Sequence, residues 1–288
     1  ARLTGTTQVE VSLVLPAAGH AADGDRSGLA TLTAAAVTSS GAGKASAKEI
    51  AQRAAALGLS LGVSTTADAM TLSFAVPKAR LGEAMELLSS VLREPRLDAA
   101  SVTREKRKQR AARAALARGD ARWATTMLLY RELFKLPTSV HPYASADATA
   151  QEIDKLSVAE VKAFHKQRWV PSGSVLVMVG DVDAADARAL SDRALASWKG
   201  ADPPAQSFTA PVVADGVRIV VADLPGAPTS EIAIGTLAVD RTDEAWTALV
   251  VGTEALGGAP TTRLATTLAA STPLSHRTRL LLPEVARG

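Results

Sequence analysis

The stretch from Gly28 to Gly43, GLATLTAAAVTSSGAG, limits what this chain can become more than any other. Leu29, Leu32, Ala35 and Ala36 recur at helical spacing, and Gly41 supplies the left-handed stop at which helices end. The helix so predicted is built of small and apolar side chains, with nothing that ionises or ligates along it. Ahead of it, Gln8 to Leu15, QVEVSLVL, alternates and is rich in branched residues, which predicts a strand with one polar side. Pro16 to Asp25 is a turn region. Of the 288 residues 47% are hydrophobic but only 3% aromatic, so the core is expected to be Ala, Leu and Val with closely packed helices. The length exceeds what one core usually organises, so one large or two medium domains are expected.

The rest of the chain follows the same grammar. Ser46-Ala-Lys-Glu49 is a capping box that opens a helix ending near Gly58, and Leu59 to Ser64 with Met70 to Val76 predict a hairpin. Leu81, Met85, Leu88 and Leu92 give the next helix an apolar face, Pro95 ends it, and Asp98 begins a long charged helix. A helix over Ala121 to Lys135 leads into the loop LPTSVHPYAS. Ser157-Val-Ala-Glu160 then caps a helix that closes at Trp169, Ser174 to Val179 is an apolar strand, and Asp183 to Trp198 is a helix. This order predicts a sheet covered by helices mainly on one face. Gly200 to Asp215, with three prolines, reads as a linker. Beyond it, the segment from Arg218 to Gly258 repeats the opening plan of strand, turn, strand, acidic turn, helix and glycines, without room for a full copy.

Several function classes are excluded or weakened by composition. The net charge of +3 comes from 32 basic against 29 acidic residues. Arg104 to Arg118 holds seven basic residues against one acid, but no stacking aromatic interrupts it, so a solvated or chamber-lining helix is favoured over a nucleic-acid surface. The chain has no cysteine, which removes disulfides and thiolate metal sites. No apolar run approaches the ~20 residues of a membrane span. His20, His141, His165 and His276 form no pair with ligand spacing, and structural or solvent roles are expected for all of them.

Entered through GDRSGLA, the helix from Gly28 resembles the signature helix of the pitrilysin/insulinase (M16) zinc peptidases. Active members carry H-x-x-E-H there, two histidines for zinc and a glutamate that activates water. Laid on that motif, this sequence reads Thr31, Leu32, Thr33, Ala34, Ala35. Thr31 and Ala35 thus stand at the ligand positions and Ala34 at the base, and none of them can do that chemistry. The family's remaining glutamate ligand falls in Arg110 to Ala115, RAARAA, which has no acid. HPYAS, VAEVKAFHKQRW and SVLVMVGDVD also resemble the family, in order from about Gln8 to Trp198, and Pro225 to Ile232 resembles the phrase that opens its other half-unit.

The resemblance implies an α+β fold of the pitrilysin/insulinase (LuxS/MPP-like) type, with a mixed, mostly antiparallel sheet, helices mainly on one face, and a tandem repeat whose second copy is incomplete. Residues 1–199 form the first unit, 200–215 a linker and 216–288 the partial second unit. It implies no catalytic residue, no metal ligand and no cofactor of its own, zinc belonging to a partner subunit or half. Gly257, Gly258 and Arg263 resemble the glycine-rich segment implicated in substrate handling in non-catalytic subunits of processing peptidases, with a helix stop and flexible turn as the equal alternative. The arginine and tyrosine that such subunits donate fall at Ala269 and His276, which do not match. The expected partners are a homologous catalytic subunit or half and unfolded peptides. A homodimer also fits, and neither nucleic acid nor a membrane span is expected. Periplasm or cell envelope is favoured over cytoplasm. The alternative is a structural or peptide-binding protein that keeps the fold without a role in proteolysis.

Overall fold

The alternation of the first strand is realised in β1 (Gln8–Leu15), where Val9, Val11, Leu13 and Leu15 are buried on one face while Gln8 and Glu10 are exposed on the other. The structure is a computed structural model that describes residues 2–136, 141–144, 147–206, 209–212, 215–259, 261–271, 278–280 and 282. The chain divides into two compact units, Ala1–Ile234 and Gly235–Gly288.

In the first unit β2 (Gly62–Thr65), β3 (Met70–Pro77) and β4 (Val175–Val179) join β1 in an antiparallel sheet of order β2-β3-β1-β4. The register sets Val9, Val11, Leu13 and Leu15 opposite Val76, Phe74, Leu72 and Met70, so one face of the ladder is continuously apolar. α1 (Leu29–Ser39), α2 (Ala47–Ala56) and α3 (Leu81–Arg93) pack on that face, with Leu32, Ala36, Met85 and Leu92 fully buried. The opposite face shows Ser12, Thr71 and Ser73, and along β4 Val175 and Val177 remain exposed. Helices thus lie mainly on one face, as the element order predicts.

α4 (Ala99–Gly119) and α5 (Ala121–Leu133) follow, each opened by an aspartate cap at Asp98 and Asp120. A short helix absent from the sequence reading, α6 (Ala150–Lys155), is opened by a capping box on Thr149 and Glu152 and packs on α4. α7 (Val158–Arg168) packs on α1, and α8 (Ala184–Leu195) on α3. Both capping boxes read from the sequence, Ser46 with Glu49 and Ser157 with Glu160, are formed. The second unit contains α9 (Trp246–Thr253), a π-helical turn over Glu254–Gly258 and α10 (Arg263–Ser271).

The strand-type alternation between Arg218 and Val239 has a different outcome. No described residue from 216 to 245 lies in a strand, and Val217, Ile219, Val221, Ile232 and Ile234 stay in water, Val217 at 93% exposure. An alternating segment becomes a strand only against a ladder partner, and neither stretch has one among the described residues. Two ion pairs, Arg218 with Glu132 at 2.9 Å and Arg122 with Glu231 at 3.4 Å, tie this segment to α5.

Gly19 shows how tightly the turn after β1 is fitted. A Cβ there would lie 2.3 Å from the Ala67 carbonyl oxygen and 2.5 Å from the Ala69 nitrogen. The clash is with backbone, so it cannot be relieved by a side-chain rotation. Gly19→Ala should lower stability by about 1–3 kcal/mol, read as a shift of the urea midpoint; an unchanged midpoint would contradict the fit.

Candidate functional site

The turn between β1 and α1 brings polar groups over the start of α1. The N–H groups of His20 and Ala21 donate to the carbonyls of Thr66 and Ala67, both at 2.9 Å, which fastens the turn to the β2–β3 hairpin. Gly28 precedes α1 with φ of 90°, a left-handed conformation in which it offers no capping side chain. Asp23, eight per cent exposed, supplies the cap from a distance. It accepts the N–H of Gly28 at 2.8 Å and of Ala30 at 2.7 Å, placing a carboxylate at the positive end of the helix.

A cavity of about 300 Å³ opens beside this cap, and Thr31, Ala34 and Ala35 line it from α1. His20 and Asp23 line it from the turn, Arg113 from α4, and Asp147 from the segment before α6. Arg113 Nε lies 2.7 Å from Asp147 Oδ2, a half-buried ion pair. Asp147 is oriented further by the Trp123 indole N–H, which donates to Oδ2 at 3.0 Å, and by the Ala148 N–H, which donates to Oδ1 at 2.8 Å. Burial holds the His20 imidazole below its usual pKa, with Asp68 and Asp147 acting weakly the other way, so the ring is neutral near pH 7. Among the described residues no hydrogen bond joins the Thr31 hydroxyl to a base, and no group of three or more His, Asp or Glu side chains is placed to hold a metal ion.

Two family models match the chain. The one described as insulinase (peptidase family M16) covers residues 2–139, and that of the peptidase M16 inactive domain covers residues 155–276. The chain belongs to the M16 peptidase family. Among solved structures it resembles the M16 inactive domain from Pseudomonas fluorescens, with TM-score 0.79 and 23% identity over 96% of this chain and 66% of that one. It also resembles a protease from Helicobacter pylori, with TM-score 0.67 and 19% identity over 92% of this chain and 63% of that one. Pitrilysin matches with TM-score 0.61 and 19% identity over 73% of this chain, which is 22% of pitrilysin. The chain therefore spans less than two thirds of the length of each of these structures. No individually curated protein matches.

Zinc, the metal of active M16 peptidases, does not fit the residues of this cavity. A hydroxyl and two methyl groups occupy the motif positions, and the α4 segment that lacks an acid sends Arg113 into the same space. A guanidinium is permanently charged and repels a divalent cation at such range. The structure brings Thr31, Ala34 and Ala35 together in one lining. Gly257, Gly258 and Arg263 lie in the second unit. Gly257 is buried and its carbonyl accepts the Leu280 N–H at 3.1 Å, Gly258 closes the π-helical turn, and Arg263 begins α10. His276 falls outside the described residues. Of the other histidines, His141 is buried against Phe134 and Tyr143, and the His165 Nε2 lies 3.0 Å from the Leu92 carbonyl oxygen.

Sequence reasoning does not single out Asp23, Arg113 or Asp147, and it leaves His20 in a turn without a role. Arg113 and Asp147 lie far from His20 and Asp23 in the chain, and together they carry no motif. The one local signal is Asp23, an acid five residues ahead of Gly28, the glycine at the N-cap of α1.

Asp23 also makes stability depend on pH. Burial pushes its carboxyl up from 3.8 to about 7, against the opposing amides of Ala30, Gly28 and Leu29. Between those values the native state keeps a proton that the unfolded chain has lost, so stability falls as pH rises through the window and levels off above it. The slope is at most about 1.4 kcal/mol per pH unit. His20 works in the opposite sense, its contribution being lost as pH falls below 6.5. Comparison with Asp23→Asn cancels the His20 effect. The stability of the wild type relative to this variant should decline with rising pH across the window, and parallel curves would refute the assignment.

Proposed function

We propose that this M16 chain is the catalytically inactive half or subunit of a pitrilysin-like zinc peptidase, closing the substrate chamber and holding unfolded peptides for a partner that carries H-x-x-E-H. The observation that carries the reading is the cavity over α1, where Arg113 and Asp147 form an internal ion pair beside Thr31, Ala34 and Ala35. The charges of these two side chains are matched to one another at 2.7 Å. Supporting it, one matching model describes an inactive domain, and the P. fluorescens structure is described as one. In this reading Gly257, Gly258 and Arg263 handle peptide, and zinc resides only in the partner. The periplasm suits it, since the E. coli protease PqqL, described as periplasmic, shares the fold at TM-score 0.59 and 15% identity. That match covers 72% of this chain and 23% of PqqL.

The test is reconstitution. Copurification with an H-x-x-E-H chain, whose cleavage of an unfolded peptide falls when this chain is removed, is the expected result. A stable partner without a zinc motif would instead support a structural role.

The cavity gives a second test. Thr31→His, Ala34→Glu and Ala35→His together should not create a zinc site, because the distal carboxylate is missing and Arg113 shares the lining. Stoichiometric zinc in the triple variant, measured by elemental analysis after dialysis, would count against this account of the cavity.

A further inference from the structure

A second and larger cavity, of about 620 Å³, lies away from the first, between α1, α2, α3 and the chain leading into β2. Its floor is buried and apolar, formed by Ile50, Leu59, Phe74, Leu87, Leu88 and Val91. It exists because α2 turns alanines toward it: Ala47, Ala51, Ala54 and Ala55 recur at one-turn and two-turn spacing, and each leaves unfilled the volume a larger side chain would take. The volume falls within the ~300–1,000 Å³ of pockets that hold small molecules.

The rim is asymmetric in charge. Lys48 and Arg104 are the ionisable residues lining the cavity, both exposed cations, and no carboxylate lines it. Arg104 is partly engaged, donating to the Ser39 carbonyl at 3.1 Å with its Nε 3.4 Å from Glu105 Oε1. Lys48 makes no ion pair among the described residues. It also stands in the first turn of α2, where the helix dipole disfavours a cation. Ser39 lines the same space, and its buried hydroxyl has no hydrogen-bond partner among the described residues.

We propose that this cavity binds a long-chain carboxylate of the fatty-acid class, the alkyl chain on the apolar floor and the carboxylate at Lys48 and Arg104. Three features select this occupant. The floor is too apolar for a sugar or nucleotide. Much of the wall is helical, with its amides already bonded along the helices, and offers no free ladder for a peptide backbone. The rim presents only positive charge, which an anionic head group complements and a neutral lipid does not use.

The test uses the full chain and cis-parinaric acid, whose fluorescence rises on entering an apolar site. Saturable one-to-one binding, displaced by oleate and displaced about tenfold less well by methyl oleate, is expected. Ala51→Trp, at an exposed position on the rim, should abolish binding by filling the cavity while circular dichroism stays unchanged. Lys48→Glu should weaken binding about tenfold. It improves the dipole match of α2, so loss of binding there cannot be ascribed to unfolding. Probe binding that survives Ala51→Trp would place the probe elsewhere, on the exposed apolar residues between 217 and 234, and overturn the proposal. Equal displacement by oleate and its methyl ester, with no effect of Lys48→Glu, would overturn the role of the cationic rim. Displacement by unfolded peptide but not by oleate would overturn the ligand class.

Discussion

The first unit leans on β1, held in ladders on both sides. With β3 on one side and β4 on the other, its Val9, Val11, Leu13 and Leu15 can face only one way. A slip of one residue would turn all four into water, so the register is fixed by burial as much as by hydrogen bonds. α1 lies on that apolar face because Leu32 and Ala36 match it, and the connection from β1 to α1 is pinned to the hairpin by backbone hydrogen bonds. Everything chemical in the first cavity, from His20 and Asp23 to Thr31 and Ala35, inherits its place from this ladder.

That dependence explains which parts of the fold could be read in advance. The alternation of β1, the two capping boxes, the apolar face of α3 and the small-residue helix α1 are local signals, and each is realised where the spacing puts it, except that α1 ends at Ser40 in extended backbone and Gly41 is not left-handed. α6 escapes notice because it is a single short helix behind a loop, with its capping box on Thr149 and Glu152 as the only sign. The alternation between Arg218 and Val239 is an equally local signal, yet it does not yield a ladder. Periodicity reports which side chains would share a face, and pairing decides whether a strand forms at all.

The candidate site divides in the same way. That Thr31, Ala34 and Ala35 share one lining is legible in the sequence, because they sit on adjacent turns of one helix. The ion pair beside them is not legible there. Arg113 and Asp147 meet only because α4 runs back across α1 and the segment before α6 closes over both. In the sequence, Arg113 is one of seven basic residues in a charged run, and nothing distinguishes it from Arg107 or Arg118. Its neighbours in the run go elsewhere: Lys106 donates to the carbonyls of Asp154 and Leu156, and Arg110 reaches Asp154. What looked like a solvated face is in part a set of tethers that hold the α6 region against α4.

The two cavities also differ in what fills them. The first is nearly self-neutralised: its guanidinium has a carboxylate at 2.7 Å and its imidazole is held neutral by burial. With methyl groups at Ala34 and Ala35 and Arg113 set opposite Asp147, the guanidinium and the carboxylate in this space each keep a partner. The second cavity has no such closure. Its floor is saturated with apolar contacts, while Lys48 at its rim has no acid to meet among the described residues. In a chain whose basic and acidic residues otherwise nearly balance, a cation without an acid partner above an apolar floor complements an external anion with an alkyl tail.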